Sequence, residues 1–288
     1  MIIFFAKGRL GNHIFQYAFL KAIREDNELM ILPEMLDLFD IFDFTEKNIW
    51  IPQNRYVRSV FYRIFIPRIF EKLAKKSFIS SIFQNRVAEN GFEIDDSTFS
   101  KKIGYFKKIK YIERGYFQSE LFFDKNVIDT FRIKDQYINK AKSYLSNIPK
   151  ESYKVFVHIR RGDYLTCSFL GDNPTLPINY YKERIDWFLT NKKRCFFIFL
   201  SDDSSFVEKE FAYLTNKKIS LNIVGVDLAI MTLCQGAIAS NSSLAWWGTY
   251  LMENRDKAFA PLYWIGFNKR TWFPKGIRSD FFDYMEIC

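Results

Sequence analysis

The sequence predicts an α/β protein with a parallel β-sheet in its C-terminal half. From residue 154 onward, short apolar segments alternate with longer amphipathic segments, which is the pattern of repeated strand–helix units. The apolar segments are rich in β-branched and aromatic residues, as in strands that helices cover on both faces. Polar clusters directly follow several of these strands, and the carboxyl edge of such a sheet is where ligands bind.

The elements of this half are predicted from their apolar periodicity. A helix over 135–147 precedes Ile148–Glu151, which we take as the boundary between a domain at 1–150 and a domain at 151–288. Beyond that boundary we expect strands at 154–159, 195–200, 219–224, 237–239 and 257–260, the last of the sheet, and helices at 178–191, 206–211, 227–234 and 244–253.

In the N-terminal half, a strand at Ile2–Ala6 precedes a turn at Lys7–Asn12 and a buried helix at His13–Arg24. The turn contains two glycines and places backbone N–H groups at a helix start, where an anion can bind. A purely structural turn explains the same residues equally well. The candidate contacts of this loop are Gly8, Gly11 and Asn12.

The composition allows a large core and makes the chain basic. Among 288 residues, 19% are aromatic, and 42 Lys and Arg stand against 33 Asp and Glu, for a net charge of +9. A charge of this sign attracts phosphates, nucleic acid or anionic lipid without choosing among them. The 4 cysteines form no CxxC pair and have no zinc spacing, which fits a reduced cytoplasmic setting. No apolar run approaches the ~20 residues of a membrane span.

The segment Arg55–Lys76 carries seven basic residues and one acid among many aromatic and isoleucine residues. Pro67 is expected to interrupt any single helix in this segment. Basic and aromatic amphipathic segments can lie on anionic membranes, so one interpretation is peripheral membrane contact. The other is a helix packed on its own domain with a solvated basic face, and the sequence favours this second interpretation.

The most informative segment is Lys154–Leu165, which reads KVFVHIRRGDYL. The predicted buried strand delivers His158, Arg160, Arg161 and Asp163 at its carboxyl end. Arginine suits pyrophosphate because the planar guanidinium group makes paired, charge-assisted hydrogen bonds. Taken alone, the same residues also describe a surface Arg–Asp pair at a turn.

Polar residues at three other places decide between these interpretations. They are Asp202 and Asp203 after the next strand, Asp227 at the start of a later helix, and Ser240, Asn241, Ser242 and Ser243 before another helix. Hydroxyl and free N–H groups at a helix start favour phosphate, so the arginines and serines together predict a diphosphate clamp. Asp227 either accepts the N–H groups of a guanine base or caps its helix. The sequence has no Gly-x-Gly-x-x-Gly or Walker lysine motif, and it predicts no metal site.

Five segments form an ordered set along the chain: GRLGNHIFQYAF at 8–19, GYFQSELFF at 115–123, HIRRGDY at 158–164, FLSDDS at 199–204 and SNSSLAWWGTYL at 240–251. Together they resemble the successive motifs of glycosyltransferase family 11, the bacterial and animal α1,2-fucosyltransferases. Five matches in the right order are far more specific than any one of them.

The resemblance implies a GT-B-like architecture of two Rossmann-type α/β domains facing a cleft. The N-terminal domain would take the acceptor and the C-terminal domain the donor. The resemblance further implies GDP-fucose as donor, an inverting reaction, and neither a metal nor another cofactor. Carried over by motif, His158 and Arg160 contact the donor, Asp227 holds guanine, and Ser242 and Ser243 hold phosphate.

The N-terminal motif departs from the family pattern at two positions. His13 stands where the family usually has Gln, and Arg9 stands where it often has Gly. His13 is a candidate acid/base group or acceptor contact, or else a polar residue of the helix start. The candidate base carboxylate of the wider superfamily has no match, since that region reads Thr166-Cys167-Ser168. Asp163 and His13 are the remaining candidates for a base.

The expected reaction transfers L-fucose from GDP-β-L-fucose to the 2-hydroxyl group of a galactoside-type acceptor, in surface-polysaccharide or O-antigen synthesis. Arg160 would stabilise the leaving phosphate, and Arg161 would assist it or be anchored by Asp163. The expected partners are the donor, an oligosaccharide or lipid-linked glycan, and anionic membrane at the inner face. Alternatives are another GDP-sugar or linkage on the same fold, or a basic nucleic-acid-binding protein. A nucleic-acid-binding protein would need arginines and aromatics together on an exposed face. Here the arginines stand at a strand end that faces a serine helix start, so no nucleic acid is expected.

Overall fold

The computed structural model describes residues 1–51, 60–85, 87–89, 93–113, 115–169 and 171–287. The chain forms two compact units. The first consists of Met1–Arg132 with Lys275–Ile277, and the second of Ile133–Pro274 with Arg278–Cys288. Within the described residues, no helix is both long enough and apolar enough to cross a bilayer.

The first unit contains eight strands and three α-helices in its described part. The strands are β1 (Ile2–Phe4), β2 (Met30–Ile31), β3 (Ile49–Trp50), β4 (Ile79–Gln84), β5 (Val87–Glu89), β6 (Glu93–Asp95), β7 (Phe99–Lys102) and β8 (Phe106–Ile112). The helices are α1 (Leu10–Ile23), α2 (Leu36–Ile41) and α3 (Val60–Lys75), and 3₁₀ turns cover Glu120–Phe122, Lys125–Thr130 and Lys275–Ile277.

Six of these strands form one sheet in the order β3-β2-β1-β8-β4-β7. All neighbouring pairs are parallel except β4 and β7, which are antiparallel, and β5 pairs with β6 in a separate hairpin. Helix α1 is apolar around most of its circumference, so it is almost entirely buried. Because the strand order reverses beside β1, the loops after β1 and β8 meet at the carboxyl edge of this sheet.

The expectation that Pro67 interrupts a helix is wrong. Helix α3 runs through Pro67 without a break, although proline removes one backbone hydrogen bond. Ile66, Phe70 and Leu73 pack the helix on a core that includes Ile3, and this burial keeps the helix continuous. Residues 55–59 of the basic segment lie outside the described residues.

The second unit is built from the predicted strand–helix repeats. Its strands are β9 (Tyr153–Ile159), β10 (Cys195–Ser201), β11 (Lys217–Ile219), β12 (Gly236–Ile238), β13 (Lys257–Pro261) and β14 (Asp283–Met285). Its helices are α4 (Asp135–Leu145), α5 (Ile178–Asn191), α6 (Ser204–Glu210), α7 (Val224–Thr232) and α8 (Ser243–Tyr250), with 3₁₀ turns at Gly162–Leu165 and Phe267–Lys269. Helix α4 belongs to this unit, whereas the sequence reading placed the domain boundary after it, near residue 150.

The sheet of the second unit is parallel throughout, in the order β11-β10-β9-β12-β13-β14. Numbered within the unit, this is 3-2-1-4-5-6, the dinucleotide-binding order, in which ligands bind where the order reverses. That reversal lies between β9 and β12. The core is formed by residues of β9, β10 and α5, including Val157, Phe197 and Ile185, all fully buried.

Three predicted elements of this unit need correction. The strand expected at 219–224 is instead the short β11, which ends at Ile219, because Ser220 and Asn222 form a hydrogen-bonded turn. Helix α7 therefore begins at Val224, before Asp227. Strand β13 is not the last, since β14 pairs with it in parallel.

Candidate functional site

His158 lies near the carboxyl end of β9 and is buried. Its Nδ1 atom is 2.8 Å from the hydroxyl oxygen of Ser240, which follows β12. This contact therefore spans the reversal point of the sheet. Burial, helped by the charge of Arg160, lowers the pKa of His158 to about 4. The ring is neutral at pH 7, so it acts as a fixed hydrogen-bonding group rather than a cation.

Arg160 is held between two carboxylates. One terminal nitrogen of its guanidinium group is 2.6 Å from Asp163 Oδ1, and the other is 2.7 Å from Asp202 Oδ2. Asp163 reaches Arg160 because the chain turns back after β9 in the 3₁₀ turn at Gly162–Leu165. Two partners on different loops fix the direction of the guanidinium group before any ligand arrives.

Arg161 is held by a separate set of contacts. Its backbone N–H group donates to Asp202 Oδ1 at 2.8 Å, and its Nε atom donates to Asp203 Oδ2 at 3.0 Å. The guanidinium carbon is 3.6 Å from the ring centre of Phe206, a cation–π contact. Arg161 thus pairs with Asp203, while Asp163 pairs with Arg160.

Asp202 and Asp203 were predicted as donor ligands, and the structure shows that they hold the arginines. Asp203 is also the N-cap of α6 and accepts a hydrogen bond from the Phe206 backbone at 3.0 Å. The Phe206 N–H group and Arg161 keep the pKa of Asp203 below its usual range. At Gly162, a Cβ atom would lie 2.6 Å from Asp202 Oδ2, so a side chain there would displace the carboxylate that orients Arg160.

The segment Ser240–Ser243 links β12 to α8. Asn241 is buried, and its amide Nδ2 donates to the carbonyl of Pro174 at 2.8 Å. Ser242 is the N-cap of α8 and accepts from the Leu244 backbone at 3.3 Å. Ser242 and Ser243 are half-buried at the helix start, where N–H groups favour an anion.

Asp227 lies in the first turn of α7, whose N-cap is Ile223. The alternative that Asp227 caps its helix is therefore wrong. The hydroxyl of Ser220 donates to Asp227 Oδ1, and burial raises the pKa of Asp227 to about 6. Near neutral pH this half-buried carboxylate accepts the Ser220 hydrogen bond through Oδ1 and gains from any further N–H donors.

Tyr164 was missed by the sequence reading. Its hydroxyl donates to the Asn241 carbonyl at 3.1 Å, and its ring lies 5.7 Å from the Arg160 guanidinium carbon. Burial raises the pKa of Tyr164. Its position in the RRGDY motif, directly after the charged residues, was the feature of the sequence that could have indicated a role in the site.

In the first unit, the motifs at 8–19 and 115–123 meet where the strand order reverses, between β1 and β8. Gln118, from the loop after β8, donates from Nε2 to Asn12 Oδ1 at 2.6 Å. Gly8, in the loop after β1, has φ +93°, and a Cβ atom there would collide with the Asn12 side chain. Glycine is required at this turn for both reasons. Gly11 is buried within α1.

Gln16 joins the same two loops and was not predicted. Its Nε2 atom donates to the carbonyls of Lys7 and Gly115, each at 3.0 Å. Gln16 is fully buried on α1, where most of the other buried side chains are apolar. A lone amide in such a position usually has partners elsewhere in the fold, and this was the signal in the sequence.

His13 is buried on α1, close to this loop. Burial is the main influence on the pKa of His13 and lowers it, while Asp37 and the Gly8 backbone act in the opposite direction. Within the described residues, no hydrogen-bond partner reaches its Nδ1 atom. The Nδ1 atom of the neutral ring therefore remains available to donate or accept a hydrogen bond.

Carboxylate, imidazole and thiol groups do not gather into a metal site in the part of the chain that the structure describes. No three or more of the described His, Cys, Asp and Glu side chains are grouped so that they could hold an ion. The described site is instead made of arginines, their carboxylate partners, hydroxyls and amides.

Comparison with protein families identifies the chain. Its sequence matches the profile of glycosyl transferase family 11 over residues 2–266. The chain belongs to glycosyl transferase family 11. The resemblance carried by the five motifs is thereby confirmed, and the protein is a glycosyltransferase.

Two bacterial proteins and one animal protein illustrate the family. O-antigen biosynthesis glycosyltransferase WbnK of Escherichia coli is 26% identical, over 92% of this chain and 95% of its own length. Alpha-1,2-colitosyltransferase of Escherichia coli is 27% identical, over 90% of each protein. Galactoside 2-alpha-L-fucosyltransferase SEC1 of Bos taurus is 20% identical, over 85% of this chain and 63% of its own length.

Solved structures share the fold at low sequence identity. The apo form of POFUT1 gives a TM-score of 0.52 at 13% identity, over 90% of this chain and 97% of that one. POFUT1 in complex with GDP-fucose gives 0.51 at 12% identity, over 90% of this chain and 96% of that one. The likeness concerns the fold, and it confirms the predicted GT-B-like α/β class with parallel sheets.

Proposed function

We propose that this glycosyltransferase moves L-fucose from GDP-β-L-fucose to the 2-hydroxyl group of a galactoside-type acceptor, with inversion, in the synthesis of O-antigen or another surface polysaccharide. The names of its relatives support the transferred sugar, the linkage and the polymer class of this proposal. One is an O-antigen glycosyltransferase, and two act in α1,2 or 2-α linkage. Solved structures with the same fold were determined with GDP and with GDP-fucose.

The observation that carries the proposal is the arrangement at the reversal point of the second sheet. A preoriented guanidinium group, Arg160, stands at the end of β9, and the helix start at Ser242 and Ser243 follows the neighbouring β12. Oriented guanidinium N–H donors and the N–H groups of a helix start at one edge suit a nucleoside diphosphate. A nucleic-acid-binding surface would instead expose its arginines with aromatic rings, whereas Arg160 and Arg161 are largely covered by their carboxylate partners.

The chemistry we propose is displacement of GDP from the anomeric carbon by the acceptor oxygen. The bond from that carbon to the β-phosphate oxygen breaks while the new glycosidic bond forms, and negative charge grows on GDP. Arg160 stabilises that charge more strongly in the transition state than in the bound donor, which is what lowers the barrier. Neutral His158, fixed by Ser240, orients the donor without adding charge. The proposed reaction uses no metal and no other cofactor.

Asp227 is proposed to bind the guanine base. Its carboxylate can accept both the ring N–H and the exocyclic amine of guanine, and adenine lacks that pair of donors. Burial raises the pKa of Asp227 to about 6, so further N–H donors would stabilise its ionised form. Guanine would supply two such donors.

The acceptor hydroxyl must lose a proton, and two groups remain candidates to receive it. Asp163 already accepts from Arg160, so its first role is to orient that arginine. His13 is neutral near pH 7 and has an unbonded Nδ1 within the described residues. We propose His13 or Asp163 as the base, to be separated by the pH–rate profile of each variant.

The donor sugar has one specific competitor, because a relative is named as a colitosyltransferase. Colitose is fucose without its 3-hydroxyl group, so both sugars present the same anomeric centre. The purified protein should be incubated with either GDP-sugar and a panel of galactosides, and the products identified by NMR. We expect an α1,2-linked fucosylated galactoside.

A different linkage, or faster transfer of colitose, would overturn the finer assignment and leave the family intact. Thermal unfolding with GDP, GMP and an oligonucleotide tests the ligand class separately. A rise in Tm with the oligonucleotide but not with GDP would contradict the proposal altogether.

A further inference from the structure

The first unit carries a basic-aromatic surface that has no part in the site described above. The surface is formed by the turn between β7 and β8 and by Phe78, just before β4. Ile103 is 71% exposed, Tyr105 80% and Phe106 53%. Large apolar side chains are often exposed singly, but a cluster of them marks an interaction site.

The exposure is built into the backbone of the turn. The Gly104 N–H group donates to Ser80 Oγ at 3.1 Å, and a Cβ atom on Gly104 would collide with the backbone of Ile79. The Tyr105 N–H group donates to the Ser77 carbonyl at 2.8 Å. Because the backbone is packed this closely, the residues on either side of Gly104 turn their side chains away from the core.

Lysines flank these apolar side chains along the chain. Between Phe99 and Ile112 the sequence has five lysines and no acidic residue. One of them, Lys110, pairs with Glu25 and Glu28. The exposed lysines are Lys101, Lys102, Lys107 and Lys108.

The outer face of α3 has the same character. Ile69 is half exposed, and Lys72 follows it on the same face of the helix. The end of α3 is joined to the surface through the Phe78 N–H group, which donates to the Leu73 carbonyl at 2.9 Å. The described end of α3, which belongs to the basic segment of the sequence, is therefore continuous with this surface.

We propose that the basic-aromatic surface binds the interface of an anionic lipid bilayer. The isoleucine and aromatic side chains would enter the boundary between headgroups and acyl chains, and the lysines would contact lipid phosphates. Single-stranded nucleic acid gains little from aliphatic side chains such as Ile69 and Ile103, because its bases stack on aromatic rings. Lysine charge combined with exposed isoleucine therefore favours a membrane.

The test is cosedimentation of the whole protein with vesicles. Vesicles of phosphatidylglycerol and phosphatidylcholine should bind the protein at low salt. Vesicles of phosphatidylcholine alone should not, and 1 M salt should release it, since the Debye length shrinks to about 3 Å. Failure to bind anionic vesicles at low salt would overturn the proposal.

Two variants locate the binding. Replacing Lys101, Lys102, Lys107 and Lys108 by Gln should weaken binding at least a hundredfold, since each lysine near an anionic surface contributes about fivefold. The matched control replaces Lys140, Lys142, Lys150 and Lys193, exposed lysines of the second unit, and should lose much less. Equal losses would mean that only net charge matters, which would contradict a specific surface.

The second pair tests the apolar contribution. Ile103→Ser with Tyr105→Ser should lower binding at least tenfold, whereas Leu189→Ser with Tyr213→Ser, at exposed sites elsewhere, should not. Transfer to a short soluble acceptor should be unchanged in all variants, which shows that each is folded. Oligonucleotide binding or dimer formation that only the Ile103/Tyr105 variant loses would identify another occupant and overturn the membrane assignment.

Discussion

The two sheets place different chemistry at the same topological position. The strand order reverses between β1 and β8 in the first unit and between β9 and β12 in the second. In the first unit, the loops that meet there are joined by neutral amides, those of Gln16 and Gln118. In the second, guanidinium–carboxylate pairs hold them. Neutral amides suit a ligand made of hydroxyl groups, whereas oriented positive charge suits phosphate.

The comparison indicates that the sheet topology sets where a ligand can bind, while the side chains of the loops set which ligand it is. The charged edge should therefore control the chemical step and its pH dependence. The amide edge should control acceptor affinity and leave GDP binding unchanged. Four predictions test this division, beginning with the largest effect.

The largest effect is expected at Arg160. In Arg160→Ala, kcat should fall about 10²- to 10³-fold, the loss typical of one preorganised donor that acts on developing charge. Steady-state rates with saturating GDP-fucose measure it, and thermal unfolding shows whether the variant is folded. Arg255→Ala is the control, because Arg255 hydrogen-bonds the end of α8 at the opposite edge of the sheet. A folded Arg160→Ala enzyme with nearly normal kcat would contradict the assignment.

The next effect concerns His158 and stability. The pKa of His158 is about 4 in the folded protein and 6.5 in the unfolded chain. The neutral, buried ring therefore stabilises the fold fully above pH 6.5, and this stabilisation is lost as the pH falls from 6.5 through about 4. Between pH 7.5 and pH 5 this amounts to about 2 kcal/mol in the free energy of unfolding.

Urea unfolding at both pH values should show that His158→Gln loses less stability on acidification than the wild-type protein. An equal loss in both proteins would mean that His158 is not the buried neutral group that the structure indicates.

Asp227 should make GDP binding depend on pH. Its carboxyl has a pKa of about 6 in the free protein, and only the ionised form accepts two guanine N–H groups. Affinity for GDP should therefore fall about tenfold between pH 7.5 and pH 5, as the ionised fraction falls to roughly one tenth. The effect on folding has the opposite sign, because the raised pKa costs stability as pH rises through about 6.

Calorimetric titration of GDP at the two pH values measures this dependence. Asp227→Asn is the matched control, since ionisation of the GDP phosphates is the same for both proteins. If the variant keeps the full pH dependence, Asp227 does not bind the base.

The smallest effect is expected at the amide edge. Gln118→Ala removes the hydrogen bond to Asn12 and should raise the KM for the acceptor about fivefold, since a neutral hydrogen bond contributes about 1 kcal/mol. The Kd for GDP should not change. A weakened GDP affinity with an unchanged acceptor KM would reverse the division between the two edges.

The candidate site was predictable where a motif directly follows a strand. Strand β9 and helix α5 were predicted almost to the residue, so His158 and Arg160 were placed correctly at the carboxyl edge. Asp203 was recognised within an N-cap cluster, and it is the N-cap of α6. Local hydrogen bonding and apolar periodicity decide these features, and both are written in adjacent residues.

The pairing of charges was not predictable in the same way. Arg160 and Arg161 are neighbours with similar surroundings in the sequence, yet they take different carboxylates. Both lie just beyond the end of β9 and reach the loop after β10, so the carboxylate that each one meets depends on how that neighbouring strand is placed. Gln16 and Gln118 were missed for the same reason, since their partners lie on distant segments.

The sequence by itself determined the strand–helix repeats of the second unit, the order of five motifs and, through them, the family. The tertiary structure decided which strand ends are neighbours, which carboxylate holds each arginine, and the burial that shifts the pKa values of His158 and Asp227. It also showed that lysines of β7 and β8 flank an exposed apolar turn. The physical reason is the distance along the chain over which each effect acts. Apolar periodicity and helix caps depend on a few adjacent residues, whereas charge pairing and burial depend on distant segments that the sheet brings together.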